Sequence, residues 1–474
     1  MTFLSLFPPH SSPHPSVTIS HVCRRWRNIA LELPLLWTQI EVSNRPHTEA
    51  FISRARDCAL DVSLTSHVGN SASYQELASS DEVGERFLRP IVDTLALCKE
   101  NEWKALRLHL RINPSIPIAL AWAVIPASCG KTFREIIINI ACSDGQPTQE
   151  EYWEDIKGGI DLRDVPFTSL TLKMESADLC RVHAPWNRLT DLTVGPPTDL
   201  IPFEPAEVLD ILAVTPHLIS LAVTFRSPDS PFPFLDDMIS LLPSNRKISL
   251  EALKYLTVLT DQQTLDFTSA LILPVLTRLI ARPNGNLVLE ERTSGGIVDI
   301  VRRCGSHLVD LSLDYQLLTQ SALECVLQHL PMVQSLILTT GDRGVEISNS
   351  QGVDRDQIRA TLDPLLEKFI SSDGALPGAC LCPRLTNVIW GMSECTDNIR
   401  GGLVELIRKR REDERVGGRV ARLESITVGF DKESPCRLEA VTEDLTHLGI
   451  DTRRVELKVR GHHRESRIVS YEVL

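Results

Sequence analysis

The chain of 474 residues carries a formal net charge of −13, with 62 acidic against 49 basic residues, and 43% of it is hydrophobic. That apolar fraction permits a sizeable buried core, and the length suits about three domains or one long repeat array. The negative charge argues against general binding to nucleic acid or to an anionic membrane, so we expect neither as a partner.

No stretch of the sequence is long and apolar enough to predict a membrane span. The most apolar segment, IPIALAWAVI at residues 116–125, contains Pro117, whereas a span needs about 20 apolar residues. The N-terminal MTFLSLFPPH lacks the basic segment of a secretory signal. The 12 cysteines are spread thinly, and the closest pair, Cys380 and Cys382, does not have a zinc spacing. These features predict reduced thiols, no metal, and a place in the cytoplasm or the nucleus.

The first predicted element is an amphipathic helix in SHVCRRWRNIALELP, where Ser20 is a suitable N-cap. Apolar residues recur there at helical spacing and predict one apolar face of the helix: Val22, Trp26, Ile29, Ala30 and Leu33. The arginines fall mainly on the other side: Arg24, Arg25 and Arg27. Pro34 ends the helix because proline has no backbone N–H, and Ile40 and Val42 begin an extended segment.

Three interpretations fit this basic and aromatic stretch: a nucleic-acid patch, a helix packed in the core, or a small module that docks on another protein. A nucleic-acid patch would need more basic surface nearby, which an acidic chain does not supply. Core packing and docking both stay open on the residues alone.

The segment SHVCRRWRNIALELPLLWTQI resembles the second half of the F-box, in the F-box-like form common in large fungal families. The match rests on Cys23, Trp26, Ala30, Pro34, Leu36 and Trp37. The resemblance implies a small helical module, residues 1–42, that binds the adaptor subunit of SCF-type ubiquitin ligases. Its implied core or adaptor-binding residues are Val22, Cys23, Trp26, Ile29, Ala30, Pro34, Leu36 and Trp37. Such a module normally opens with a leucine-proline-proline-glutamate segment and a first helix; MTFLSLFPPHSS stands there instead, so we expect a partial F-box.

A short pattern recurs eleven times in the rest of the chain: apolar, two others, apolar, one other, apolar. The separations run from 22 to 52 residues, and the copies begin at Trp103, Phe133, Phe167, Leu189, Leu218, Leu253, Leu276, Leu308, Val333, Leu385 and Leu423. A weaker copy, LDVSLTS from Leu60, precedes them, and VELKV from Val455 closes the series. The alternation in each copy predicts a half-buried strand.

Segments of helical periodicity lie between the copies, at residues 204–214, 295–305 and 320–330. Strand, connection, helix and strand in this order predict parallel strands with helices outside. An ordinary α/β domain is the alternative, which eleven copies of one pattern disfavour. The longest gap, near residues 340–383, predicts an insertion with a polar loop and one long helix, DRDQIRATLDPLLEKFI.

This arrangement resembles the irregular leucine-rich-repeat array found behind F-boxes, over roughly residues 55–460. The LxxLxL core is present, but the position of the asparagine ladder holds Gly, Leu or Pro in several copies. The predicted fold class is therefore α/β, a leucine-rich-repeat-like solenoid preceded by a short partial F-box. Residues 1–42 form the module, 43–102 the connecting helices and first weak repeat, and 103–474 the array.

Motifs that carry enzyme chemistry are missing from the sequence. CGKT at residues 129–132 lacks the first glycine of a phosphate-binding loop, and neither GxSxG nor HExxH occurs. We therefore expect no catalytic residue, no metal and no cofactor. ELIRKRREDER, residues 405–415, mixes charges and predicts a solvated helical end, with a nuclear-import signal as the alternative.

The two resemblances together imply a subunit that recruits substrates to an SCF-type ligase. Its unknown target protein would lie on the strand positions between the paired apolar residues, best represented by Arg107, Thr171, Thr193, Thr257, Ser312 and Thr427. Five apolar positions complete this set: Ile137, Ala222, Ile280, Ile337 and Ile389. Strand propensity alone also explains its β-branched character. The alternative function is a protein-binding scaffold that does not join a ligase because its F-box is truncated.

Overall fold

The computed structural model describes residues 15–42, 45–66, 93, 97–98, 102–110, 133–140, 160–174, 179, 182–195, 205–225, 247–260, 263–283, 294–315, 318–339, 369, 380–391, 401–402, 404–410, 420–429, 443, 446–447 and 456–459. The contacts within the chain divide it into two compact units, Met1–Thr198 (unit 1) and Asp199–Leu474 (unit 2). None of the helices that the structure describes is both long enough and apolar enough to cross a membrane.

Unit 1 begins with helices and continues as a parallel sheet. The helices are α1 (Pro15–Val22), α2 (Arg24–Glu32) and α3 (Arg45–Ala55), with short 3-10 turns at Pro34–Trp37 and Trp186–Arg188. The strands are β1 (Gln39–Glu41), β2 (Leu60–Ser66), β3 (Trp103–Leu110), β4 (Glu135–Ile140), β5 (Ile160–Asp161), β6 (Ser169–Lys173), β7 (Val182–His183) and β8 (Asp191–Gly195). The main sheet has the order β1-β2-β3-β4-β6-β8, and β5 pairs with β7.

Unit 2 repeats a strand, a connection and often a helix. Its helices are α4 (Pro205–Ala213), α5 (Ser294–Cys304) and α6 (Gln320–Gln328), with a 3-10 segment at Gln263–Ala270 and helical residues 404–410. The strands are β9 (Ser220–Thr224), β10 (Ile248–Ser249), β11 (Tyr255–Thr260), β12 (Leu271–Ile272), β13 (Arg278–Pro283), β14 (Asp310–Asp314), β15 (Ser335–Thr339), β16 (Asn387–Gly391), β17 (Ser425–Gly429) and β18 (Glu456–Val459). The main sheet runs β9-β11-β13-β14-β15-β16-β17-β18, and β10 pairs with β12.

The predicted α/β class and parallel strands are confirmed. All eleven copies of the pattern contain a strand, and LDVSLTS and VELKV supply β2 and β18. The described strand pairings are parallel within each unit, an arrangement compatible with a solenoid-like α/β fold. The helices predicted at residues 204–214, 295–305 and 320–330 correspond to α4, α5 and α6. The helix predicted in the insertion lies outside the described residues, apart from Phe369.

The core consists of the paired apolar residues of successive strands, held in register. In unit 1, Leu170 pairs with Leu192, and in unit 2, Leu279 pairs with Leu311, which pairs with Leu336. All five side chains are buried. Because strand side chains alternate between the two faces, the residue between each buried pair lies on the opposite face.

The N-terminal helix differs from the prediction. The sequence predicts one helix capped by Ser20, but α1 and α2 are separate and Cys23 between them is extended. The hydroxyl of Ser20, within α1, donates to the Val17 carbonyl at 2.8 Å. The Arg27 Nε donates to the Ser20 carbonyl at 2.9 Å, so a side chain satisfies a carbonyl that the break leaves open.

A buried cation joins the segments around β16. Arg410 is fully buried at the end of helical residues 404–410, so the prediction of a solvated helical end is wrong for this residue. The reason is that its guanidinium satisfies backbone carbonyls of the neighbouring connections, at 3.0–3.4 Å: Phe369, Leu381, Cys382, Leu385 and Ala421.

Candidate functional site

Helix α2 and the turn after it expose most of their apolar side chains. Trp26 is 51% exposed and Leu35 is 76% exposed, and of the α2 residues only Ala30 is buried. We call the set the N-terminal apolar surface: Val22, Trp26, Ile29, Leu31, Leu33 and Leu35. The sequence left open whether Val22, Trp26, Ile29 and Leu33 pack in the core or dock on a partner, and in the structure all four are exposed.

Basic side chains surround this surface. His21, Arg24, Arg25 and Arg27 are exposed, whereas α2 contains one acidic residue, Glu32. Cys23 is also exposed. Helix α2 therefore exposes both apolar and cationic side chains, on a chain whose net charge is −13.

Trp37 fixes the end of this module to the first strand. Its indole Nε1 donates to the Ala30 carbonyl at 2.7 Å, and its ring meets the Phe51 ring edge-on at 5.1 Å between centroids. The Arg54 guanidinium lies 4.3 Å from the ring centroid of Trp37, at a cation–π distance. Ile40 of β1, three residues after Trp37, is also buried.

The residues that carry the F-box resemblance thus divide into two groups. Ala30 and Trp37 are buried and serve packing, while Pro34 and Leu36 are half-buried. Val22, Cys23, Trp26 and Ile29 are exposed. The sequence missed Leu31 and Leu35 as members of the exposed set, because neither lies on the predicted apolar face of the helix.

In unit 1, the candidate target-binding residues form one row across the sheet. Arg107, Ile137, Thr171 and Thr193 pair in register and are half-buried on the face opposite the leucines. The Arg107 guanidinium forms ion pairs with Asp61 and, at 3.0 Å, with Glu135. The hydrogen bond to Asp61 raises the pKa of Arg107 above its ordinary value.

Unit 2 carries the corresponding row over its own sheet, which we call the inner row. Its members pair in register: Ala222, Thr257, Ile280, Ser312, Ile337, Ile389, Thr427 and Lys458. The side chains from Ala222 to Ile389 are half-buried, except that of Ser312, which is 3% exposed. Thr427 occupies its register position, and its side chain lies outside what the structure describes.

Arg282 is a functional candidate that the sequence reasoning missed. It is exposed on β13, two residues after Ile280 and therefore on the same face. Its Nη2 lies 3.3 Å from the Ser312 Oγ, to which it donates, so Ser312 lies beneath the arginine. The alternation of side chains along the strand could have identified this position.

Groups suited to holding a metal ion do not gather among the described residues. No cluster of three or more His, Cys, Asp or Glu side chains occurs there that could hold a metal ion. Burial raises the pKa of the Cys98 thiol to about 12 and that of Cys382 to about 12, so both stay protonated at neutral pH.

Comparison with known proteins does not assign the chain to a family. No protein-family model matches it, and the search of curated proteins returned no match. The F-box and leucine-rich-repeat resemblances therefore rest on the sequence residues quoted above.

Proposed function

We propose that this chain is a binding subunit rather than an enzyme, resembling the substrate-recruiting subunits of SCF-type ubiquitin ligases. The N-terminal apolar surface would bind the SCF adaptor, and the strand faces would hold a target protein. Its contribution to catalysis would be proximity, because a bound target lysine is brought near the ligase. The exposed apolar residues of α2 and the turn after it are the observation that carries this proposal.

The chemistry of the N-terminal apolar surface supports a protein partner. Soluble proteins seldom expose a contiguous group of large apolar residues unless it is an interaction site. Trp26 is the type of residue that most often dominates an interface, since an indole buries a large area in one rigid group. The buried Trp37 holds the module in place beneath this surface without covering it.

The charge of helix α2, which carries much of this surface, indicates which kind of protein would bind there. Arg24, Arg25 and Arg27 outnumber the single acid Glu32, so two copies of this face would repel each other. An acidic protein surface with an apolar groove is the complementary partner. The proposed setting is the cytoplasm or the nucleus, where the free thiols of the described cysteines would stay reduced.

Calorimetric titration of the full chain with purified SCF adaptor tests the first half of the proposal. We expect Trp26→Ala and Leu35→Ala each to weaken binding at least about tenfold, because central apolar residues cost more than ~1.4 kcal/mol on truncation. Val214→Ala is the matched control, since Val214 is 50% exposed but belongs to unit 2. Circular dichroism would verify that each variant is folded.

The outcomes separate the possible functions. Binding that is lost in Trp26→Ala and Leu35→Ala but kept in Val214→Ala supports the ligase subunit. If the unaltered chain does not bind the adaptor, the ligase role is rejected, and a scaffold that holds only a target takes its place. Equal loss in all three variants would show that the N-terminal apolar surface is not the docking site.

A further inference from the structure

Three exposed apolar side chains on α2 and its C-terminal cap lie along one side of the helix. Trp26, Ile29 and Leu33 are spaced by three and four residues, so each lies next to the following one. They are 51%, 43% and 48% exposed, and we call them the α2 stripe. Ala30 is buried and marks the neighbouring side of the helix, which packs inside the module. A partner can therefore cover the whole α2 stripe without displacing the packed side.

Two opposite charges lie beside the α2 stripe. Arg25 precedes Ile29 by four residues and Glu32 follows it by three, so both are its neighbours on the helix surface. Both of these side chains are exposed. Arg25 and Glu32 are two turns apart, about 10 Å along the helix axis, well beyond the separation of an ion pair. The edge of the α2 stripe is therefore positive at one end and negative at the other.

The other two charged residues of α2 lie on a different side of the helix. Arg24 and Arg27 are three residues apart, and Leu31 follows Arg27 by four, so these three share a face away from the α2 stripe. The Arg27 Nε also donates to the Ser20 carbonyl at 2.9 Å, within the module. Helix α1, which packs against α2, adds one ionisable group, His21, on the other side of the break between the two helices. Of the four charges on α2, the pair beside the α2 stripe is thus the pair that a covering partner meets.

We infer that the adaptor lies along the α2 stripe in one fixed direction, with a carboxylate opposite Arg25 and a basic group opposite Glu32. This inference rests on the proposed function, in which α2 binds the adaptor, and it names the charge pattern that the adaptor must carry there. Covering the α2 stripe removes water from the two charges beside it, and a charge that loses water without gaining a partner costs free energy. The opposite direction would place like charges together, which repels the partner.

A second copy of the chain is the other occupant with a matching charge pattern. Two α2 helices laid antiparallel would pair Arg25 of each with Glu32 of the other. Each α2, however, carries three arginines and one acid, so the net charge of the two helices opposes this arrangement. The adaptor is therefore the occupant to which we commit, and self-association is one outcome of the test.

Calorimetric titration of the full chain with the purified adaptor tests the direction of binding. The variants are Arg25→Glu, Glu32→Arg and the two substitutions combined. We expect each single variant to bind at least about tenfold more weakly, because it places like charges together at one end of the α2 stripe. The combined variant should bind most weakly of the three, although its net charge equals that of the unaltered chain.

A charge exchange elsewhere in unit 1 is the matched control. Arg45 and Glu49 form an exposed ion pair on α3, with 2.8 Å between the Arg45 Nε and the Glu49 Oε1. Arg45→Glu combined with Glu49→Arg reverses that pair, keeps the net charge and should leave the affinity for the adaptor unchanged. Circular dichroism verifies that each variant is folded, and sedimentation velocity measures whether the chain associates with itself.

Each contrary result has a defined meaning. If Glu32→Arg strengthens binding and the combined variant binds as the unaltered chain does, affinity follows net charge and the fixed direction is rejected, while the ligase role stands. Unchanged binding in all the α2 variants rejects the α2 stripe as the docking face. A dimer that each single variant disrupts and the combined variant restores identifies a second copy as the occupant. If the unaltered chain does not bind the adaptor, the proposed function fails and this inference fails with it.

Discussion

The two tryptophans of the N-terminal module differ in their exposure to solvent. Trp37 is buried and bonded to the Ala30 carbonyl, whereas half of Trp26 is exposed to solvent. Both occur in the same short motif, and periodicity gives no means of telling them apart. What separates them is tertiary contact: the Phe51 ring and the Arg54 guanidinium of α3 enclose Trp37.

We therefore expect Trp37→Ala to destabilise unit 1 by about 3–5 kcal/mol, since it leaves a cavity and removes a buried hydrogen bond. Trp26→Ala should cost less than about 1 kcal/mol, in contrast to the large loss that full burial would have implied. Urea unfolding followed by the fluorescence of the remaining tryptophans and by circular dichroism measures both. A loss of stability in Trp26→Ala equal to that in Trp37→Ala would contradict the assignment of Trp26 to a surface.

The cysteines give a prediction that depends on pH. Burial raises the pKa of Cys98 and of Cys382 to about 12, so their thiols remain neutral at pH 8, where alkylating agents react with thiolates. Iodoacetamide should modify the exposed Cys23 first and these two only after unfolding. Because the raised pKa favours the protonated folded state, the stability it contributes is lost between about pH 9 and pH 12. Peptide mass spectrometry over time checks the order, and early labelling of Cys382 would refute it.

At the scale of elements, the strands were predictable from the sequence, but the side-chain hydrogen bonds that join successive repeats were not. The LxxLxL pattern is sufficient to predict a strand and its buried face, because two apolar residues with one outward residue between them alternate as a half-buried strand does. The repeats lack an asparagine ladder, and threonine side chains that the pattern does not identify supply some of the hydrogen bonds between repeats. Threonine hydroxyls just before three strands donate to the preceding repeat at 3.1–3.3 Å: Thr190 to Thr168, Thr277 to Lys254 and Thr386 to Gln334.

Close packing of α5 against α6 depends on a glycine. A Cβ at Gly305 would overlap the carbonyl oxygen of His329, which lies just beyond the end of α6. Gly305→Ala should therefore destabilise unit 2 by roughly 1–3 kcal/mol, because the two helix ends must separate. Thermal unfolding measures this change.

Gly401 offers the matched control for that experiment. It is helical, and a Cβ there would meet nothing within 4 Å. Gly401→Ala should leave stability unchanged or raise it by a few tenths of a kcal/mol, since alanine loses less backbone entropy in a helix. An equal loss of stability in the two variants would mean that close packing at Gly305 does not cause the destabilisation of Gly305→Ala.

For the whole molecule, the sequence predicted the α/β class, the parallel strands and the row of outward residues. It did not predict Arg282, and it left open whether the apolar side of α2 faces solvent, because burial depends on contacts between distant segments. The row was predictable from residues such as Thr193 and Ile337, since alternation along a strand fixes the face. What each face binds is a property of individual side chains, which strand propensity does not report.

The successive pairing of strands predicts that damage remains local. Each strand in the interior of a main sheet bonds to two neighbours, so the loss of one anchor reaches the rest of the sheet only through intervening strands. In Trp37→Ala, amides of β1 and β2 should therefore lose protection from hydrogen exchange, while those of β14 to β17 keep theirs. Exchange measured by mass spectrometry on both proteins resolves these segments, with Trp26→Ala as the control that should leave every strand protected. Equal loss of protection in β1 and in β15 would show that the chain unfolds as one cooperative body.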